Sequence, residues 1–169
     1  MGMHRETIAE ELADLEVAPG MAVRLAYCAR DQATGELLQY GDDLCYVHGS
    51  AAEVFPKVQA ALEGLRTGAR VRVPLSPEEG YGERDPDRVL VQPRALLPEE
   101  ACVPGMPMEA TWPDGTASLC VVARVDGERV VLDANHPWAG RHLVFEFEVL
   151  SIRPALTAER NAGRILAPV

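Results

Sequence analysis

The chain has 169 residues, with 16 Lys and Arg against 26 Asp and Glu, a formal charge of −10 and an isoelectric point near 4.8. Hydrophobic residues make up 47% and charged residues 25%, a globular composition that excludes wholesale disorder and fits one medium domain or two small ones. The acidic balance argues against sequence-independent nucleic-acid binding and anionic membrane surfaces, and no apolar run approaches the ~20 residues of a membrane-spanning helix.

The first stretch, MGMHRETIAEELADLE, carries acidic residues where a secretion signal would be apolar, so a cytoplasmic, unexported protein is expected. Ile8, Leu12 and Leu15 form one stripe of a short amphipathic helix within residues 1–19, with Thr7 as its cap and Pro19-Gly20 as its end. In MAVRLAYCA, Val23, Leu25, Tyr27 and Ala29 alternate with less apolar neighbours, the pattern of a half-buried strand. Asp31 to Asp43 reads as turn and loop, interrupted by Glu36-Leu37-Leu38, and Leu44 to Val47 as a short strand. A helix follows in AEVFPKVQAALEGLRTG, with Pro56 tolerable only in its first turn, where a missing N–H leaves no partner unsatisfied. Val71, Val73 and Leu75 mark another strand, and SPEEGYGERDPD is turn-rich.

From Arg88 the texture changes to a compact block with its own turn signals at Pro113-Asp114-Gly115 and Asp126-Gly127, flanked by strand-like runs. The last strand, LVFEFEVLSI, alternates Phe145, Phe147 and Val149 with Glu146 and Glu148. An isolated two-stranded ribbon is marginal in water, so this strand is expected to pair back with the N-terminal strands. The block between is then an insertion, residues 89–130, in a discontinuous domain of residues 1–88 and 131–169. The expected class is α+β, mainly antiparallel. TAERNAGRILAPV adds a short helix at most.

The usual chemical motifs are missing: no GxSxG, no GxGxxG after a strand, no GxxxxGK and no HExxH. The pairs Glu78-Glu79 and Glu99-Glu100 lie in polar turns and read as solvated. Cys28, Cys45, Cys102 and Cys120 form no CxxC pair, and Cys28 and Cys120 read as small buried hydrophobes. The four histidines lack ligand spacing. Neither a metal nor a cofactor is expected.

The segments VRLAY, GELL, YVHG, AALEG, GYGE, DANHPWAGRHLVF and EFEVLSIRPA occur in that order over roughly residues 21–158. In these motifs the chain resembles the SlyD-like branch of the FK-binding-type (FKBP) prolyl isomerases, NHPWAGR followed by LVFEFEV being the most specific part. The resemblance implies an antiparallel half-barrel sheet wrapped on one helix, with an inserted small, mainly β domain, the "insert-in-flap" domain, that binds unfolded chains. It implies a peptidyl-prolyl cis-trans isomerase acting on X-Pro bonds of unfolded or nascent proline-containing polypeptides, with no nucleic-acid or membrane partner. A non-catalytic chaperone or adaptor on the same fold is the alternative.

Isomerisation needs no nucleophile. Peptide rotation costs ~18–20 kcal/mol, and X-Pro exchange takes tens to hundreds of seconds unaided. Twisting breaks amide resonance and leaves a less polarised carbonyl, so a water-poor apolar pocket favours the twisted state over the planar ones. By resemblance the pocket contains Tyr27, Leu38, Leu44, Val54, Phe55 and Val58, with Tyr81 closing the rim and donating to a substrate carbonyl and Phe145 as the floor. The same register places Gln39 where the family usually carries Asp, with Asp42 and Asp43 a few residues on. Val54-Phe55-Pro56-Lys57 stands where the family helix is usually entered through Gly. In the insertion, Val89, Leu90, Val91, Leu96, Leu97, Val103, Met106 and Met108 are candidates for a client-binding groove, methionine suiting promiscuous surfaces.

Overall fold

Alternating burial along MAVRLAYCARD builds the first strand, and the same period of two recurs through the chain. The structure, a computed structural model, describes residues 14–50 and 54–169. In chain order the strands are β1 (Met21–Asp31), β2 (Leu37–Val47), β3 (Arg70–Leu75), β4 (Val89–Pro93), β5 (Pro107–Thr111), β6 (Ala117–Asp126), β7 (Arg129–Asp133) and β8 (Leu143–Pro154). The helices are α1 (Pro56–Leu62) and α2 (Thr157–Ala162). Two compact units result: one runs up to Gly80 and resumes at Arg141–Val169, the other is Tyr81–Gly140. The amphipathic helix expected at the N-terminus falls largely on residues 1–13, outside the described residues.

In the first unit β8 lies between β1 and β3, giving an antiparallel sheet of order β2-β1-β8-β3. The strand furthest along the chain thus holds the sheet together. Leu143, Phe145, Phe147 and Val149 are buried while Glu146 is exposed, as their alternation requires. β2 corrects the expected loop: the strand is continuous from Leu37, and the turn is confined to residues 32–36. Among the described residues it is an edge strand, paired only with β1 and irregular between Leu25 and Tyr27 and between Ala29 and Arg30. An edge tolerates the polar run GDD and the broken alternation that hid the strand. Asp31 closes the turn by accepting from the backbone N–H groups of Ala33 (2.9 Å) and Thr34 (3.1 Å). The Thr34 bond is the main influence holding its carboxyl below the usual range.

Pro56 occupies the first turn of α1, and Val58 and Leu62 are buried. Gln59 ties the chain entering the helix by donating to Ser50 (2.8 Å) and Val54 (2.9 Å) carbonyls and accepting from the Gly49 N–H (2.9 Å). At the other end, buried His48 links β2 to the helix. Its Nδ1 meets the Tyr46 hydroxyl at 2.9 Å, and its Nε2 donates to the Glu63 carboxylate. Burial pushes the Tyr46 phenol pKa up.

After β8 the chain is clamped by a buried ion pair. Both Glu159 oxygens accept from Arg153 at 2.8 Å, and Glu159 also accepts from the N–H groups of Leu156, Leu166 and Ala167.

The second unit is a separate antiparallel sheet of order β4-β7-β6-β5. Its core holds Cys102, Ala110, Cys120, Val122, Val130 and Leu132, with Leu90, Leu97, Met108 and Trp112 packed against them. Both expected hairpins form. Asp114 accepts from the Thr116 N–H (2.9 Å) and hydroxyl (2.6 Å) in the first. In the second, Gly127 takes φ +56° while no neighbour of another type has positive φ, the requirement of a turn with glycine at its first central position. β7 straddles residue 130, the expected end of the insertion, and pairs only within this sheet.

Candidate functional site

Antiparallel partners that face each other share one side of a sheet, so the register assembles the site. One cross-strand row is Gln39, Ala29, Phe145 and Val73; the next is Gly41, Tyr27, Phe147 and Val71; a third is Leu44, Leu25 and Val149. Tyr27, Gln39, Leu44 and Phe145 therefore stand on one face, in company with the buried Leu25, Val73, Phe147 and Val149. The Phe145 and Phe147 rings are near-parallel at 7°, with centroids 5.6 Å apart. Phe147 was absent from the expected site, although its alternation with Phe145 was visible in the sequence.

Tyr27 is half-buried, and the exposed Gln39 side chain reaches it: Nε2 donates to the phenol oxygen at 2.9 Å. Gly41 makes room for the ring. A Cβ there would lie 3.0 Å from Tyr27 Cε1 and 3.2 Å from its hydroxyl oxygen. Val54 is buried and Phe55 half-buried at the entry to α1, Val58 is buried on the helix, and Leu38 is half-buried on β2. Lys57, on the first turn, pairs with Glu79 at 3.0 Å. Glu79 also accepts from the Ser76 N–H, the main reason its carboxyl titrates below the usual range.

The reverse face of the sheet is different in character. An open groove of about 480 Å³ there is lined by Ala26, Cys28, Arg70, Arg72, Glu146 and Glu148, together with Tyr27, Val71 and Phe147. Arg70 and Glu148 pair across strands at 3.2 Å. The Tyr27–Phe145 face carries aromatic and aliphatic side chains and none of these charged ones.

Tyr81 belongs to the second unit, where it has local aromatic company that the sequence reading missed. Its ring stacks on His136 (centroids 4.1 Å, planes 15° apart) and meets Trp138 edge-on at 5.2 Å. Desolvation lowers the His136 pKa. Both partners lie in DANHPWAG, so the residues were in view and only their proximity to Tyr81 was not. Asn135 joins the two segments: it accepts from the Asp85 N–H at 2.8 Å and donates to the Asp85 carbonyl at 2.9 Å.

The client-binding candidates divide. Leu90, Leu97 and Met108 pack against the core of the second unit. Val91, Leu96, Val103 and Met106 are exposed, and Val89 is half-buried. On the face opposite that core, register places Val89, Val91, Val121, Leu119 and the buried Val131 together, with Asp133 between Val89 and Val121 and Arg124 opposite Val131. Leu119 and Val121, 76% and 38% exposed, were not among the candidates. A groove of about 500 Å³ on this face is lined by Val89, Ala123, Val131, Arg84, Pro86 and Arg124.

Among the described residues, no group of three or more His, Cys, Asp or Glu is placed to hold a metal ion. Nor is any described helix long and apolar enough to cross a membrane. The arrangement is a fold with an aromatic sheet face on one unit and an apolar strand face on another, the architecture of an FKBP-like isomerase carrying an insert. No family model matches the chain. Curated relatives do: the FKBP-type peptidyl-prolyl cis-trans isomerase SlyD of Aeromonas hydrophila is 32% identical over 154 residues, covering 89% of this chain and 71% of that protein. The SlyD of Treponema pallidum is 32% identical (83% and 81% covered), and that of Escherichia coli K12 30% (89% and 78%). The chain belongs to the SlyD-type family of FKBP-type peptidyl-prolyl cis-trans isomerases.

Proposed function

We propose that the chain isomerises X-Pro bonds of unfolded or nascent polypeptides on the Tyr27–Phe145 face, and that the second unit holds the client through its exposed apolar strand face. The observation that carries the first part is the convergence of Tyr27, Gln39, Leu44 and Phe145 on one apolar sheet face. An aromatic floor accepts the proline ring and excludes water. The planar, polarised imide gains less there than the twisted one, and this difference accelerates rotation. Val54, Phe55 and Val58 bound the site from the helix side. Tyr81 acts as a donor to a substrate carbonyl. The site of action is the cytoplasm, where nascent chains and reduced cysteines coexist.

Proline-limited refolding of a model protein tests this directly. Substoichiometric amounts of the chain are expected to accelerate it, and Phe145→Ala to slow the acceleration at least tenfold. Tyr81→Phe is expected to lose several-fold. Aggregation suppressed only near equimolar amounts, with no acceleration, would leave a holdase and reject the catalytic reading.

A further inference from the structure

The Tyr27–Gln39 contact has a direction with chemical consequences. A glutamine amide N–H can only donate, and here it donates to the phenol oxygen of Tyr27 at 2.9 Å. The phenol then still holds its own proton. No described residue accepts that proton: Asp43, the carboxylate near Gly41, makes no hydrogen bond to Tyr27. Tyr27 is half-buried, stands in the row of Gly41, Phe147 and Val71, and is next to the row containing Phe145. The aromatic face thus presents one oriented O–H donor.

We propose that Tyr27 is a substrate-contacting donor, that Gln39 is the positioning residue that keeps its proton available, and that the acceptor is a backbone carbonyl of the peptide adjoining the rotating bond. The proposal rests on the isomerase reading of this face. The acceptor follows from the reaction. The carbonyl of the rotating imide loses negative charge as it twists, so a donor aimed at it would stabilise the planar ground state and slow catalysis. A donor on a neighbouring carbonyl, unchanged by rotation, instead holds the peptide equally in ground and transition states. Its loss raises KM and leaves kcat nearly constant. Gln39 contributes by occupying the oxygen lone pair and fixing the phenol without competing for its hydrogen.

Four variants of the full chain test this: Tyr27→Phe, Gln39→Ala, Gln39→Glu and the Tyr27→Phe/Gln39→Glu double variant. The assays are isomerisation of a short X-Pro peptide and the affinity of that peptide by titration. Gln39→Glu is decisive, because glutamate has the shape of glutamine and keeps a bond to Tyr27, but it accepts the phenol proton. A purely structural Gln39 predicts wild-type behaviour for Gln39→Glu. The proposal predicts that Gln39→Glu raises KM about three- to tenfold, as Tyr27→Phe does, the range expected for one neutral hydrogen bond. Gln39→Ala falls between these and wild type. The double variant is no worse than Tyr27→Phe alone, since both remove the same donor.

Gln39→Glu at wild-type KM, or Tyr27→Phe at wild-type KM, overturns the proposal. A wild-type chain that binds the peptide without isomerising it rejects the isomerase reading alone. The same ranking in peptide affinity then still supports the donor, and equal affinities overturn it. A chain that neither binds nor isomerises the peptide overturns both.

Discussion

Gly41 has no side chain, and the Tyr27 ring fills the space where one would be. A methyl group at that position would stand 3.0 Å from Cε1 and from Asp43 Oδ1, closer than carbon atoms settle without movement. Asp43 is exposed and can turn away, but the half-buried Tyr27 is flanked in its row by Gly41 on one side and Phe147 on the other, so its ring has to shift. Gly41→Ala is therefore expected to shift the phenol off Gln39 and lower kcat/KM for a short X-Pro peptide several-fold. Its thermal midpoint should change little, because β2 is an edge strand. Equal losses in both quantities would mean that Gly41 serves the sheet and not the site. Tyr27, Gln39 and Phe145 were named as candidates through the family motifs, and the register places them on one sheet face. The role of Gly41 was not, because it comes from a cross-strand neighbour 14 residues away (41 − 27) that only the register supplies. The ring partners of Tyr81 were hidden for the same reason: His136 and Trp138 meet it through strand pairing of the intervening block.

Among the elements, those with clean alternation were readable in advance. β1, β3 and β8 each bury one side, and the period of two shows through. β2 was not readable through its middle, since an edge strand with irregular pairing need not alternate. The short α2 owes little to helix propensity, which is weak at six residues. Its anchor is Glu159, an N-terminal-turn residue that accepts from the Leu156 N–H, as in half of a capping box. The Arg153 hydrogen bonds are the largest influence on its pKa and lower it; desolvation opposes them, and the N–H groups of Leu166, Leu156 and Ala167 lower it further. A carboxyl with a folded pKa below its unfolded value stabilises the fold fully above the unfolded value, near ~4.3, and less as pH falls below it. Glu159→Gln should thus lower the unfolding midpoint at pH 7, and the gap to wild type should narrow as pH falls below about 4. Urea unfolding across pH 2–7 measures this. A gap that stays constant with pH would show that packing, and not the charge, anchors the C-terminal segment.

At the scale of the whole molecule, the two units have separate cores, and each presents an apolar face of a different kind. The first unit carries the stacked Phe145 and Phe147 rings beside Tyr27, the face proposed for the proline. The second offers valine and leucine side chains along three strands, with no ring among Val89, Val91, Val121, Val131 and Leu119. A strand face of that type suits an extended apolar segment, and exposed apolar clusters on a chain of charge −10 point to an interaction. If the second unit retains a long client, each proline of that client is presented to the first unit again and again at an effective concentration on the order of millimolar for short flexible tethers. A tetrapeptide, held by one unit at most, gains nothing from this. Leu119→Ser with Val121→Thr, both at exposed positions, should leave the fold within about 0.5 kcal/mol of wild type. The pair should cut catalysis of protein refolding roughly tenfold or more while tetrapeptide turnover remains unchanged. Equal loss on both substrates would assign these residues to the fold of the second unit. No loss on either would move client binding to Leu96, Val103 and Met106, the other exposed apolar residues of that unit.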